Sequence, residues 1–233
     1  MTADNATHAS HCLFDFSAIA RDYDRWYETA AGRAHDRIQK ADVVRLLRPP
    51  RPGDRLLDIG CGTGHWSRFF ASLGYAVTGI DISEEMIRVA RRRPAPGCVF
   101  ELADACALPF DECSFEVVAA MATLEFVSDA PRVLAEMFRT VRPHGSVVVG
   151  TLNRLAPINR HRLARAREPY ASGRLLSPGE LRNLLGRFGR VRMVASRMPS
   201  SRRGWRLGRW IGHRIAPGRR KFAGPFIVAE VRL

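Results

Sequence analysis

The sequence predicts an α/β fold, a mostly parallel sheet covered by helices, on three observations. Short β-branched runs alternate with amphipathic stretches along most of the chain, the pattern of a sheet whose strands are joined by helices. One such run, 55–59, opens directly into a glycine-rich turn. At 233 residues and 46% hydrophobic, the chain can bury a sizeable core in one domain.

The elements follow in order. Residues 15–27 read as a first helix. A second, over 34–47, places Ile38, Ala41, Val44 and Leu47 on one face. Pro49-Pro50 and Pro52-Gly53 stop it. The first strand is 55–59, followed by the glycine turn and a helix over 65–73. The second strand is 76–80. Ser83 is placed to cap the next helix, with Glu84 and Glu85 in its electropositive first turn. The third strand is 98–102 and the fourth 115–121. A helix over 130–141 is ended by Pro143-His144-Gly145, and the fifth strand is 146–152. Residues 158–167 read as a basic helix. Ser177-Pro178-Gly179-Glu180 is a helix start, with proline at the first position and capping-box spacing. That helix runs to about Phe188-Gly189. The last two strands are 190–196 and 226–233. Between them lies a basic insert with four apolar anchors, Trp205, Leu207, Trp210 and Ile211.

Composition narrows the function classes. No apolar run approaches the roughly 18 residues that span a bilayer. Residues 1–10 are polar, unlike a secretory signal, and 1–12 read as a disordered start. Five cysteines without a Cys-x-x-Cys pair read as free thiols in a reducing compartment, and no metal site is expected. These features point to the cytoplasm. The net charge of +14 is uneven. Residues 1–150 carry 17 Lys/Arg against 20 Asp/Glu, whereas 151–233 carry 20 against 3. Only Lys40 and Lys221 are lysines, as a GC-rich genome would give. That bias explains arginine over lysine and leaves the scarcity of acids after Glu180 unexplained.

The chemistry is concentrated in Leu56-Leu57-Asp58-Ile59-Gly60-Cys61-Gly62-Thr63-Gly64. A glycine turn between a parallel strand and a helix lets the backbone approach a ligand, and the helix N-terminus presents free amide donors. Gly60-x-Gly62-x-Gly64 is one residue shorter than the dinucleotide fingerprint. Asp81 ends the second strand, 21 residues after Gly60, where a carboxylate can accept from ribose hydroxyls. Asp104-Ala105 follows the third strand, where an acid can accept from an exocyclic amine. The fourth strand ends in Met121-Ala122-Thr123-Leu124-Glu125, beside the first, at the switch point where open α/β sheets bind ligands.

Together these features resemble the class I S-adenosylmethionine (SAM)-dependent methyltransferases, most closely the type 11 group typified by ubiquinone and menaquinone C-methyltransferases. The resemblance covers 54–152 as the SAM-binding core. Ala20-Arg21-Asp22-Tyr23-Asp24-Arg25-Trp26-Tyr27 is similar to that group's entrance helix. It implies a single Rossmann-like domain over 1–233, with a seven-stranded, mostly parallel sheet and an antiparallel last strand. Residues 153–222 would form a substrate lid with the basic insert. It further implies that Asp58 and the backbone of Gly60, Cys61 and Gly62 hold the methionine end of SAM, and that Gly64 allows close passage. Asp81 would take the ribose, Ile82 and Met86 would pack on the adenine, and Asp104 and Ala105 would read its edge. The Met121 carbonyl would receive the amino group, and Tyr23, with Trp26 or Tyr27, would close over the cofactor.

Methyl transfer needs alignment and exclusion of water, with a base only where the acceptor must lose a proton. His161, Tyr170, His144 and Glu125 are the candidates, His161 and Tyr170 foremost because they fall in the lid. No Asn/Asp-Pro-Pro-Tyr/Phe tetrapeptide follows the fourth strand, against DNA amino-methylation. No acidic pair follows Glu125, against protein arginine methylation. No carboxylate cluster suggests a magnesium-dependent catechol enzyme. The expected function is methylation of a small-molecule acceptor, lipid-like or aromatic. RNA modification and SAM binding without catalysis remain open. The insert at 197–221 interleaves arginine with tryptophan and isoleucine. It reads as a cap on the substrate pocket, as contact with an anionic membrane surface that would make the protein peripheral there, or, less readily, as a nucleic-acid contact.

Overall fold

The structure, a computed structural model, describes residues 12–196, 222 and 224–233. Its seven strands are β1 (Arg55–Ile59), β2 (Ala76–Asp81), β3 (Cys98–Leu102), β4 (Phe115–Met121), β5 (Val141–Leu152), β6 (Val191–Val194) and β7 (Phe226–Arg232). They form one sheet in the order β3-β2-β1-β4-β5-β7-β6. The first five are parallel, and β7 runs antiparallel to both β5 and β6. The helices are α1 (Arg25–Glu28), α2 (Ala30–Leu46), α3 (His65–Ser72), α4 (Glu84–Arg92), α5 (Ala130–Thr140), α6 (Pro157–Ala164) and α7 (Pro178–Leu185).

The two-residue alternation of the strands divides the core between the sheet's faces. Leu57, Ile59, Val118, Ala120, Val147 and Val149 point to one side, where Val133, Leu134 and Met137 of α5 and Leu181 and Leu185 of α7 cover them. Leu56, Val117, Ala119 and Val148 point to the other, against Val43 and Leu46 of α2 and Trp66 and Phe70 of α3. Each fully buried large apolar side chain contributes about 1.5–3 kcal/mol. With both faces covered, the central strands read as near-continuous apolar runs, and β1, β3 and β4 have the bounds predicted from sequence.

The caps follow the sequence. The Ser83 side chain accepts from the Met86 amide at the start of α4. Ser177 and Glu180 form a complete capping box on α7.

Several predicted elements differ. The helix expected over 15–27 is a 3-10 turn at Phe16–Ile19 followed by the single turn α1. Thr29, extended and accepting from the Gly32 amide, starts α2 afresh. The buried face of α2 is Gly32, Asp42, Val43 and Leu46, whereas Ala41 and Val44 are exposed and Ile38 is half-buried. A buried carboxylate explains the error, because Asp42 accepts from the Ser196 amide at 2.8 Å and hydroxyl at 2.5 Å and so turns its stripe inward. Pro143-His144-Gly145 does not precede β5 but lies inside it. The register with β4 jumps there from Phe115↔Val141 to Val117↔Ser146, and His144 takes φ 64°, as in a bulge. The basic helix stops at Ala164. Cys12, expected in a disordered start, bridges to Val127. Residues 1–11 and the insert at 197–221, with Trp205, Leu207, Trp210 and Ile211, lie outside the described residues. Among the described residues, no helix is long and apolar enough to cross a membrane.

Candidate functional site

The carboxyl ends of β1, β2, β3 and β4 converge on one cavity that opens to solvent. The turn after β1 forms its floor. Gly60 has φ 66°, and a Cβ there would come within 2.3 Å of the Thr123 side chain. Glycine is therefore required both by its dihedral and by the approach of the segment after β4. At Gly62, φ 54°, a Cβ would meet nothing closer than the Met86 sulfur at 3.9 Å. Here the turn presents bare backbone to the cavity.

Asp81 ends β2 opposite this turn. One carboxylate oxygen accepts from the Gly62 amide at 2.8 Å and the other from the Ser83 amide at 2.9 Å. Burial still pushes its pKa up, with the amide bonds opposing. Each oxygen retains acceptor capacity. Asp104, after β3, accepts from the Cys106 amide at 2.8 Å. Ile82, Met86 and Ala105 supply apolar walls, and Tyr23 closes the cavity from the N-terminal segment. Of the twelve residues singled out for the cofactor, the structure thus brings Tyr23, Gly60, Gly62, Asp81, Ile82, Met86, Asp104 and Ala105 to one lining.

The other four stand behind it. Asp58 is buried on β1 and accepts from the Ser67 hydroxyl at 2.6 Å. Its second oxygen has no partner among the described residues. Burial, with Asp81 nearby, pushes its pKa up to about 7. Cys61 is buried, and desolvation raises its thiol pKa, so it is an inert thiol. At Gly64 the crowding is internal, since a Cβ would meet the Phe100 ring at 2.6 Å. The Met121 carbonyl accepts from the Thr123 hydroxyl at 3.3 Å. Its neighbour Ala122, at φ 56°, reaches the lining instead.

Sequence reasoning missed Cys12, Phe16, Phe126 and Val127, which line the same cavity. The Leu13 amide donates to the Phe126 carbonyl at 2.7 Å, and the Phe16 and Phe126 rings meet edge to face at 5.0 Å. No motif marks them, because they are ordinary apolar residues brought together by the chain's return over the sheet edge.

A second, larger cavity, also open to solvent, adjoins the first. Phe16, Tyr23, Ala122 and Phe126 line both. Beyond this shared wall the second cavity is aromatic and basic, with Trp26, Tyr27, Trp66, Tyr170, Arg162 and Arg167 among its lining. Burial is the first cause raising the pKa of Tyr23, to which Tyr170 and Glu125 add, so the phenol stays protonated at neutral pH. Tyr27 is raised for the same first reason.

The proton-accepting candidates separate clearly. Tyr170 lines the second cavity, with the Arg162 guanidinium 4.5 Å from its ring centroid. His161 is exposed on α6 and lines neither cavity. His144 is exposed in the β5 bulge. Glu125 is fully buried, accepts from the Thr151 hydroxyl and the Leu152 amide, and has its pKa pushed up to about 7 by burial. His35, which carries no sequence signal, lines the second cavity. Burial and then Arg162 lower its pKa, so it presents a neutral imidazole at pH 7.

The N-terminal segment is latched to the glycine turn and to α4. Asp24 accepts from the Thr63 hydroxyl at 2.7 Å and pairs with Arg93. The Ser17 and Ser83 hydroxyls lie 3.0 Å apart. Tyr27 stacks on His65 at 3.8 Å, and Asp36 holds both His65 and Lys40.

The residues present fit SAM. The bare Gly62 backbone would cradle its amino-acid end, Asp81 has acceptor capacity for ribose hydroxyls, and the unpaired Asp58 oxygen is a buried acceptor two residues before the turn.

Comparisons with known proteins agree. Residues 57–149 match the model of the methyltransferase domain family. The chain is 35% identical, over 59% of its length and 49% of the relative's, to a malonyl-(acyl-carrier protein) O-methyltransferase of Erwinia pyrifoliae. It is 33% identical to a demethylmenaquinone methyltransferase of Clavibacter sepedonicus, over 64% of this chain and 61% of that one. The chain spans about half the length of the curated relatives it matches. Among solved structures, a SAM-dependent methyltransferase from Thermotoga maritima is similar with a TM-score of 0.70 and 25% identity, over 93% of this chain and 97% of that one.

Proposed function

From the match of residues 57–149 to the methyltransferase domain family and the likeness to SAM-dependent methyltransferases, we propose that this chain is a class I SAM-dependent methyltransferase of the type 11 group that transfers a methyl group to a small molecule held in the aromatic cavity. The observation that carries this reading is the shared wall. Phe16, Tyr23, Ala122 and Phe126 line both the cavity at the strand ends and the larger one beside it. Donor and acceptor can therefore meet there.

When bound, SAM supplies a methyl group on a sulfonium sulfur, which leaves as a neutral thioether. The chain's own residues bind and align. In this reading, Asp81 and Asp104 accept from ribose and adenine, Ile82 and Met86 sandwich the base, and the Gly60–Gly62 turn holds the amino-acid end. Tyr23, protonated, is a hydrogen-bond donor at the wall. The aromatic lining excludes water, and alignment of this kind can supply on the order of 7–11 kcal/mol. His35, neutral at pH 7, is the group in the acceptor cavity suited to take a proton from a phenol or amine, with Tyr170 in the same lining.

Isothermal titration with SAM, followed by methyl transfer from labelled SAM to quinol, phenol, fatty-acid and RNA acceptors, tests the proposal. Saturable binding and labelling of a small molecule are expected. Binding with no labelled product would favour a SAM-binding protein without turnover, and labelling of RNA alone would favour RNA modification. A second reading concerns location. The excess of basic over acidic residues in 151–233 supports contact with an anionic membrane surface. Flotation with anionic liposomes at about 0.15 M salt checks it, where exposed charges more than ~8 Å apart are screened.

A further inference from the structure

We propose, resting on the methyltransferase reading, that the acceptor carries an anionic group and that Arg162 and Arg167 hold it as a handle in the second cavity. Both arginines line that cavity, and neither has a carboxylate partner among the described residues. The two acids that share the lining are already engaged. Asp22 pairs with Arg25 at 3.0 Å, and Glu168 accepts from the Ser172 amide and hydroxyl.

Arg162 is positioned. It donates to the Asn159 side-chain oxygen at 3.1 Å and lies over the Tyr170 ring. Asn159 is fully buried, with its amide bonded to the Asn153 and Pro225 carbonyls at 2.9 and 2.8 Å. The guanidinium is thus held by a residue fixed to the end of the sheet. A cation oriented in this way, with donors left over, suits a carboxylate, sulfonate or phosphate ester better than a neutral ligand. After burial, the Arg162 charge is the second cause of the lowered pKa of His35, which lines the same cavity.

Neither arginine belongs to the wall shared with the first cavity. The anion is therefore the part of the acceptor that orients it, and the methylated atom lies at the other end of an apolar body. Trp26, Tyr27 and Phe226 supply the surface for that body.

The test uses a matched pair of fluorescent probes on the full chain. 1-Anilinonaphthalene-8-sulfonate has the aromatic body and a sulfonate, whereas N-phenyl-1-naphthylamine has the body alone. Each is titrated into the wild type, Arg162→Gln and Arg167→Gln. Arg160→Gln and Arg165→Gln are controls that remove a charge from exposed positions outside the cavity lining. The expected result is that each cavity variant weakens the sulfonate about tenfold, the scale of one charge-assisted hydrogen bond. The neutral probe should be unmoved and the controls should match the wild type. The proposal is overturned if the sulfonate ignores both cavity variants, if the neutral probe falls equally, or if the controls lose as much. SAM titration on the same samples separates the two readings and reports that each variant is folded. SAM bound normally with arginine-independent probes removes the anionic handle alone. A wild type that does not bind SAM removes the methyl-donor reading and leaves the probe result to stand by itself.

Discussion

The two cavities meet at one wall and are built in opposite ways. The first is made of strand ends. Its polar groups are the Asp81 and Asp104 carboxylates and the backbone of a glycine turn, all fixed by the register of β1, β2 and β3 and by short bonds to amides. The second is made largely of side chains from segments that leave the sheet, the N-terminal entrance, α2, α6 and the loop to Tyr170, with Leu152 and Phe226 lining it from the ends of β5 and β7. Its walls are aromatic and its charged residues are Asp22, Arg162, Arg167 and Glu168. The difference teaches where each kind of information resides. Sheet geometry holds what every member of the fold must bind, and appended segments hold what distinguishes one member from another.

Four measurements would break or sharpen this contrast. The largest effect is expected at Gly60. Gly60→Ala places a methyl group 2.3 Å from Thr123 at a positive φ, so SAM affinity should fall at least a hundredfold, about 3 kcal/mol. Titration with SAM reads it, and an unchanged affinity would mean that the turn is not the floor of the donor site.

Next comes the pH dependence of folding. The Asp58 pKa stands at about 7 in the folded chain, against roughly 3.9 in an unfolded one. Between those values the folded state holds the extra proton. The contribution of Asp58 to stability should therefore be fully present below about pH 4, fall on the order of a few kcal/mol as pH rises toward 7, and level off above. Glu125, also at about 7, acts in the same direction. Asp58→Asn should flatten the part of this slope that belongs to Asp58 in urea titrations run from pH 4 to 8. A slope identical to wild type would show that Asp58 is ionised in the folded protein.

Asp81→Ala follows. It leaves the Gly62 and Ser83 amides without their acceptor and should weaken SAM by about 1–3 kcal/mol. The smallest change belongs to the appended side. Tyr27→Ala removes the stack on His65, worth about 1 kcal/mol. Acceptor KM should rise more than SAM affinity falls. The reverse split would place the entrance segment with the donor machinery.

The strand-end cavity was the legible one. Gly60, Gly62, Asp81 and Asp104 could be read because strand-end chemistry requires particular residue types at spacings set by the strands and helices between them. The strands β1 and β4 could be read because they lie inside the sheet with nearly every residue buried, and β3, at the sheet edge, because Pro94, Pro96 and Gly97 set it off from the helix before it. The second cavity resisted for a physical reason. Phe16, Phe126 and His35 meet through tertiary folding of short, irregular segments, and an aromatic residue there looks in sequence like any core residue. His161 shows the converse, since its position in the lid segment suggested chemistry while its place on the α6 turn exposes it to solvent. The stripe of α2 was misread because a buried Asp42 breaks the apolar period while keeping its own hydrogen bonds.

The four-residue wall also constrains how such a protein can diverge. A change at Phe16, Tyr23, Ala122 or Phe126 alters both rooms at once, so it must be tolerated twice. A change at Trp26, Arg162 or Tyr170 is private to one room. New acceptors can be explored through the private residues while the common donor is left untouched, and the partition between the chambers becomes the slowest part of the site to drift.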